Sequence, residues 1–288
     1  MKFQFADKIL DLSTPKVMGI LNVTPDSFYD GGRFIPASSS AQVNVEKALA
    51  EASTMVKEGA AFIDIGGEST RPGAKPVGEQ EEMDRVLPVV ECLARELDTV
   101  LSIDSSSPSL MLEAAKLGAG LLNDVRALQK EGAVAAAAET GLPVCLMHMQ
   151  GTPETMQQNP SYSDVFGGVE SFLKSRIDAC VDAGISTSQI LLDPGFGFGK
   201  TDEHNLLLLK HLQSFGHFEC PILVGLSRKS MIGRLLGRDV EDRLPASLAL
   251  AMASVQNGAN ILRVHDVAAT VDVVNIMNAL QSCDLKDI

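Results

Sequence analysis

The chain has 288 residues, 45% of them hydrophobic and 21% charged, with 37 acidic against 24 basic side chains and a formal net charge of −13. A global field of that sign argues against nucleic acid and anionic membrane surfaces as partners, so any anion site must be built locally from a few Arg and Lys side chains and backbone N–H groups. Five scattered cysteines, Cys92, Cys145, Cys180, Cys220 and Cys283, make no C-x-x-C or Cys/His cluster. That argues against a zinc site and fits reduced thiols. The N-terminus lacks the apolar core of a signal peptide, and no run approaches the roughly 18 apolar residues of a membrane helix. The expected location is cytoplasmic.

Residues 1–13 alternate Phe3, Phe5, then Ile9, Leu10 and Leu12 around a polar break, which predicts a short β-hairpin ahead of the main fold. Strand patterns then follow at 17–23, 61–66, 100–104, 121–125, 143–149, 190–194, 221–226 and 260–265. Helical patterns lie between and after them, at 41–58, 79–97, 108–117, 132–140, 165–183, 204–213, 244–257 and 267–280. Several of these helices run into a glycine just before the next strand, as at Gly59 and Gly118, where a left-handed residue can close a helix. Eight β/α units in one chain, with no linker or low-complexity segment, predict a single (β/α)8 TIM-barrel domain over residues 1–288. A doubly wound sheet is the alternative; it often carries a Gly-x-Gly-x-x-Gly turn after its first strand, where this chain reads Asn-Val-Thr-Pro-Asp.

The predicted strands end in functional groups, one after another. The first ends at Asn22 and the second in Gly-Gly-Glu-Ser-Thr70-Arg71-Pro72-Gly. The third ends at Asp104, the fourth at Asn123-Asp124, and the fifth at Met147-His148-Met149. Next come Asp193-Pro-Gly-Phe-Gly-Phe198-Gly-Lys200, Ser227-Arg228-Lys229-Ser230 and Arg263-Val-His265-Asp266. At the C-terminal rim of a barrel such groups converge on one pocket. Arg71, Arg263, His265 and Asn22 suit a phosphate or pyrophosphate, and glycine-rich loops let N–H groups approach an anion. Asp104, Asn123, Asp193 and Lys229 offer the acceptors and donors that a heterocycle with amino, ring N–H and carbonyl edges requires. Met147 and Phe198 could line the faces of its ring. A pterin with a pyrophosphate tail fits this set, and on chemistry alone a nucleotide fits nearly as well.

These stretches, taken in order from Met18-Gly-Ile-Leu-Asn-Val-Thr-Pro-Asp-Ser-Phe to Arg263-Val-His-Asp, resemble the dihydropteroate synthase family, the folate-pathway enzymes that sulfonamides inhibit. The resemblance covers the whole barrel. It implies condensation of (7,8-dihydropterin-6-yl)methyl diphosphate with 4-aminobenzoate to 7,8-dihydropteroate and pyrophosphate, with Mg²⁺. It implies that Asp104, Asn123, Asp193 and Lys229 hold the pterin, with Arg263 stacked on it. Asn22 is implied to bind Mg²⁺ beside the diphosphate, and Arg71, Arg263 and His265 to hold the anion. Thr70, Pro72, Phe198 and Ser230 would contact 4-aminobenzoate. A homodimer built from helices on the far side of the barrel is also implied, with the apolar faces of 246–255 and 267–280 as candidates. One departure is visible: where the family commonly reads Thr-x-Lys-Pro after the third-strand Asp, this chain has Ser105-Ser-Ser107-Pro108. A pterin-binding methyltransferase on the same barrel and a non-catalytic pterin-binding module are the competing expectations.

Some residues invite plainer readings. His148, in an apolar Met-His-Met strand end, is expected to be structural, and Asp64 to be buried as support or catalyst. Lys200 is expected simply to close its Gly-rich loop, and Asp266 and Ser227 are candidate helix N-caps. Residues 23–33 are expected to form a lid, with Phe28 and Asp30 its working residues.

Overall fold

The computed structural model describes residues 1–24, 44–68, 77–153 and 155–283. The expected hairpin is present. β1 (Lys2–Phe5) and β2 (Lys8–Asp11) pair antiparallel, Phe3 opposite Leu10 and Phe5 opposite Lys8. Among the described residues, eight further strands form one parallel sheet: β3 (Lys16–Asn22), β4 (Phe62–Gly66), β5 (Val100–Asp104), β6 (Leu121–Asp124), β7 (Val144–Met147), β8 (Ile190–Asp193), β9 (Leu223–Val224) and β10 (Ile261–Val264). Neighbours in sequence are neighbours in the sheet, β10 pairs with β3, and a parallel bridge from Leu192 to Ile222 closes the ring between β8 and β9. The chain is a (β/α)8 barrel.

The helices are α1 (Val45–Lys57), α2 (Glu79–Glu96), α3 (Pro108–Lys116), α4 (Ala133–Thr140), α5 (Val165–Asp182), α6 (Asp202–Lys210), α7 (Ser230–Leu236), α8 (Leu244–Gln256) and α9 (Val267–Ser282). Their starts follow ordinary capping chemistry. Asn44 caps α1 by accepting the Lys47 N–H at 2.9 Å, and Ser107 caps α3, with Pro108 in its first turn. Gly59 and Gly118 take φ values of 101° and 105°, the left-handed geometry expected where helix hands over to strand. α7 was not expected from the sequence. Its seven residues include Gly233, too short a stretch for a helical period to register. β9 is also shorter than expected, because the Ile222 N–H is taken by the Asn260 side chain at 2.8 Å.

Alternation along the strands divides the interior into two apolar layers. Pointing out against the helices are Val17, Leu21, Ile63, Ile65, Leu101, Ile103, Leu122, Val144, Leu192, Val224 and Leu262, all buried. Pointing into the barrel is one residue from each strand: Met18, Phe62, Val100, Leu121, Cys145, Leu191, Leu223 and Ile261. Phe3, Phe5 and Leu12 from the N-terminal segment join this inner layer, with the Phe5 ring edge-on to Phe62 at 4.9 Å. The segment therefore plugs the N-terminal end of the barrel. Among the described residues, the other end is the one left open to chemistry.

Candidate active site

Counting up from the inner apolar layer locates the mouth. Two residues beyond it stand Asp64, Asn123, Met147, Asp193 and Arg263; four beyond stand Asn22 and Asp104. With a side-chain period of two, all of these share the inward face. The register aligns Asn22 with Gly66, Gly66 with Asp104 and Asp104 with Asn123, so three of the expected residues stand level at the ends of β3, β5 and β6.

Arg263 organises the centre. Its Nε donates to Asp64 Oδ2 at 2.5 Å and its Nη2 to Asp104 Oδ2 at 2.6 Å. Asp64 is fully buried and also receives the Ser102 hydroxyl at 2.5 Å and the Asn123 amide at 3.2 Å. Burial alone would weaken the guanidinium's hold on its proton, but Asp64 and then Asp104 outweigh it, so Arg263 is held firmly charged. The Asp104 side chain is 11% exposed. Burial pushes its carboxyl up to about 7; Arg263 pulls it back, and Asp64, Glu82 and Asp124 push the same way as burial. Asp64 is thus buried and hydrogen-bonded, as expected, and anchors Arg263 from within the barrel.

Across the mouth, Lys229 Nζ lies 4.4 Å from the centre of the Phe198 ring. Burial brings the Lys229 ammonium down to about 8, Arg263 adds to that, and Asp193 and Asp104 oppose it. Burial likewise raises the Asp193 carboxyl, against a hydrogen bond from the Gly195 N–H at 2.7 Å and the charge of Lys229. Met147 pairs with Asp193 in the β7–β8 register. His265 lies one residue past β10, its N–H donating to Ser227 Oγ at 3.2 Å and its Nδ1 3.1 Å from the same oxygen. Ser230 opens α7. Thr70, Arg71 and Pro72, and the lid candidates Phe28 and Asp30, lie outside the described residues.

Several readings change. The glycine-rich loop after β8 was expected to offer N–H groups to an anion. Instead Gly195 N–H goes to Asp193, Gly197 N–H to Asn205 Oδ1 at 2.8 Å, and Phe198 N–H to Gly195 O at 3.1 Å. The glycines are there for close approach: a Cβ on Gly195 would come within 1.8 Å of the His148 carbonyl oxygen, and one on Gly199 within 2.5 Å of that of Gln150. Lys200 locks the same contact from inside. Its ammonium reaches His148 Nδ1 and Gly195 O, both at 2.8 Å, and Phe198 O at 3.1 Å. Burial and the adjacent Lys200 drive His148 down to about 3, so it is a neutral acceptor, as expected of a structural histidine. Asp124 is out of phase with Asn123. Its carboxylate accepts the N–H groups of Arg126 at 2.8 Å and Leu128 at 2.7 Å and the Ser106 hydroxyl, folding the loop behind the site.

The departure at 105–107 falls in this same hidden layer. Ser105 Oγ accepts the Ser107 N–H at 3.0 Å, Ser107 caps α3, and all three serines are buried. Asp266 stands at the N-cap position of α9, as the sequence suggested, but its side chain makes no capping hydrogen bond, and Ser227 is not an N-cap, since Lys229 holds that place before α7. Ser227 is tied to His265, and the Asp266 carboxylate binds Arg228 through Nε at 2.8 Å and Nη2 at 2.6 Å. Arg228 pays for that place with a left-handed backbone, φ 53°, which costs a side-chain-bearing residue roughly 1–2 kcal/mol.

Comparison with known proteins agrees with this geometry. The family model described as pterin binding enzyme matches residues 18–265. A dihydropteroate synthase of Escherichia coli K12 is 52% identical over 273 residues, covering 95% of this chain and 94% of its own. The solved Yersinia pestis dihydropteroate synthase with a sulfonamide drug complex superposes with a TM-score of 0.91 at 52% identity, covering 98% of this chain and all of that one. The Xanthomonas albilineans dihydropteroate synthase with 4-aminobenzoic acid gives a TM-score of 0.90 at 46% identity, covering 98% and 99%. A barrel mouth built around an Asp–Arg–Asp cluster, together with near-full-length identity of about one half, places the chain in the dihydropteroate synthase family, enzymes of folate synthesis.

Proposed function

We propose that the barrel mouth binds (7,8-dihydropterin-6-yl)methyl diphosphate and joins its methylene carbon to the amine of 4-aminobenzoate, releasing pyrophosphate. The observation that carries the residue assignment is Arg263, a planar cation fixed at two corners by Asp64 and Asp104. So fixed, it suits stacking on a flat heterocycle and attracting the diphosphate beside it. Asp193, Asn123 and Lys229 complement the amino, ring N–H and carbonyl edge of the pterin, and Met147 lines the pocket. Arg71 and His265 join Arg263 on the diphosphate. Thr70, Pro72, Phe198 and Ser230 contact 4-aminobenzoate; the sulfonamide and 4-aminobenzoic acid complexes of relatives support a site for that ring.

Asn22 fits Mg²⁺ as a single oxygen donor at the end of β3, because Mg²⁺ keeps most of its shell as water and phosphate oxygen. Among the described residues no cluster of three or more acidic, His or Cys side chains competes for it. When bound, the ion supplies charge neutralisation to the diphosphate. The protein's own part is electrostatic. The methylene C–O bond breaks with both electrons leaving on the pyrophosphate oxygen, which the cationic groups stabilise. The positive charge left on the methylene spreads over the ring, and the Asp104 carboxylate stabilises it. The amine lone pair then forms the C–N bond, and its proton leaves to solvent. An aniline nitrogen needs no strong base.

Pyrophosphate release from the purified protein tests this: it is expected with both substrates and absent when either is omitted. Binding of both without release would sink the reading. We further propose a cytoplasmic homodimer. The exposed Met252 on α8 and Ile276 and Leu280 on α9 support a protein contact there, and among the described residues no helix is long and apolar enough to cross a membrane. A monomer by sedimentation at micromolar concentration would refute the dimer.

A further inference from the structure

We propose that the Arg228–Asp266 ion pair is a positioning device that fixes Lys229 and His265 relative to one another across the mouth. The proposal rests on the assignment of Lys229 and His265 to the substrate site.

The two loops are stitched at adjacent residues. Ser227 Oγ takes the His265 N–H at 3.2 Å, and the next residue, Arg228, forks onto the next residue, Asp266, through Nε at 2.8 Å and Nη2 at 2.6 Å. Lys229 follows Arg228 directly and His265 precedes Asp266, so neither can shift without straining the fork. Arg228 is held from its other sides as well. Its Nη1 donates to Val240 O at 3.3 Å, its backbone N–H to Ser247 Oγ at 2.9 Å, and its carbonyl accepts Arg243 Nη1 at 3.1 Å. The Ser247 hydroxyl in turn donates to Arg243 O at 2.8 Å. These contacts from the α8 end hold Arg228 in its left-handed conformation, φ 53°. From that turn the chain delivers Lys229 to the Phe198 ring and starts α7 at Ser230. Arg228 acts through Lys229, and Asp266 through His265.

The test uses the full-length enzyme and the variants Arg228→Ala, Asp266→Ala and the double variant. kcat and KM for the dihydropterin diphosphate are measured separately, with melting temperature alongside. Each single variant is expected to lower kcat/KM about 10- to 100-fold, mostly through KM, and the double variant to be no worse than the poorer single. Arg228→Gly relieves the backbone geometry but not the lost fork, so it is expected to melt no lower than Arg228→Ala and to show the same kinetic loss. Additive losses, or losses that follow melting temperature from variant to variant, would overturn the proposal. Should the alanine variants not fold, Arg228→Lys and Asp266→Asn serve the same comparison. Lys229→Ala and His265→Ala are the controls. If they leave KM unchanged, the site assignment fails and the proposal with it; if they raise KM while the Arg228 variants are silent, the ion pair alone is refuted.

Discussion

Asp104 and Lys229 carry opposite charges whose proton affinities converge near neutrality, the first raised to about 7 and the second lowered to about 8, in both cases mainly by burial. In the proposed mechanism the carboxylate form of Asp104 and the ammonium form of Lys229 are the working ones. kcat/KM should therefore fall as pH drops through about 7 and again as it rises through about 8, a narrow bell in a pH–rate profile. In Asp104→Asn the low-pH limb should vanish. That variant should lower kcat by about 100-fold while pterin affinity, read by calorimetry, moves only a few-fold. Equal losses would mean that Asp104 only positions the ring. Arg263→Ala should weaken diphosphate substrates much more than a bare pterin, and equal weakening would leave stacking as its main role. Residue types alone made most of this cluster legible, since strand-end Asp, Asn and Arg have few other reasons to recur. What stayed hidden was pairing. Nothing local to Asp64 shows that an arginine 199 positions away will reach it.

At the scale of elements, the loop after β8 is where reading residues one at a time failed. Its glycines suggested an anion cradle, yet they serve a backbone-to-backbone contact with the 148–150 loop, which only tertiary structure reveals. Gly199→Ala should lower stability by about 1–3 kcal/mol through strain at φ 62° and collision with Gln150. Urea denaturation measures this. Lys200→Met leaves the acceptors of the buried ammonium unpaired and should cost about 1–3 kcal/mol in the same assay. An anion cradle would instead show as a raised KM with unchanged stability. α7 escaped the sequence for a related reason: its seven residues carry too little periodicity to be seen, whereas the strand at 221–226 was legible and only its length, cut to Leu223–Val224, was not.

For the whole molecule, the eightfold alternation of strand and helix was readable because each unit repeats the same apolar pattern and several of the helices end on glycine. The hairpin was readable as a hairpin but not as a plug. Phe5 is fully buried in the inner apolar layer of the barrel, and Arg263 and Asp104 stand two and four residues beyond that layer toward the mouth. Phe5→Ala should therefore cost about 3–5 kcal/mol of stability, read by denaturation, with kcat and KM unchanged at temperatures where the enzyme stays folded.

The alternation along each strand has a consequence for how such a protein can change. On β5, Ile103 holds the barrel to its helices while Asp104 faces the barrel mouth; on β10, Leu262 and Arg263 divide the same labours. Adjacent codons thus answer to different selective pressures. A combinatorial library confined to the upper inward positions could explore new heterocycles with little thermodynamic debt. One confined to their immediate neighbours would yield unfolded protein and teach nothing about specificity.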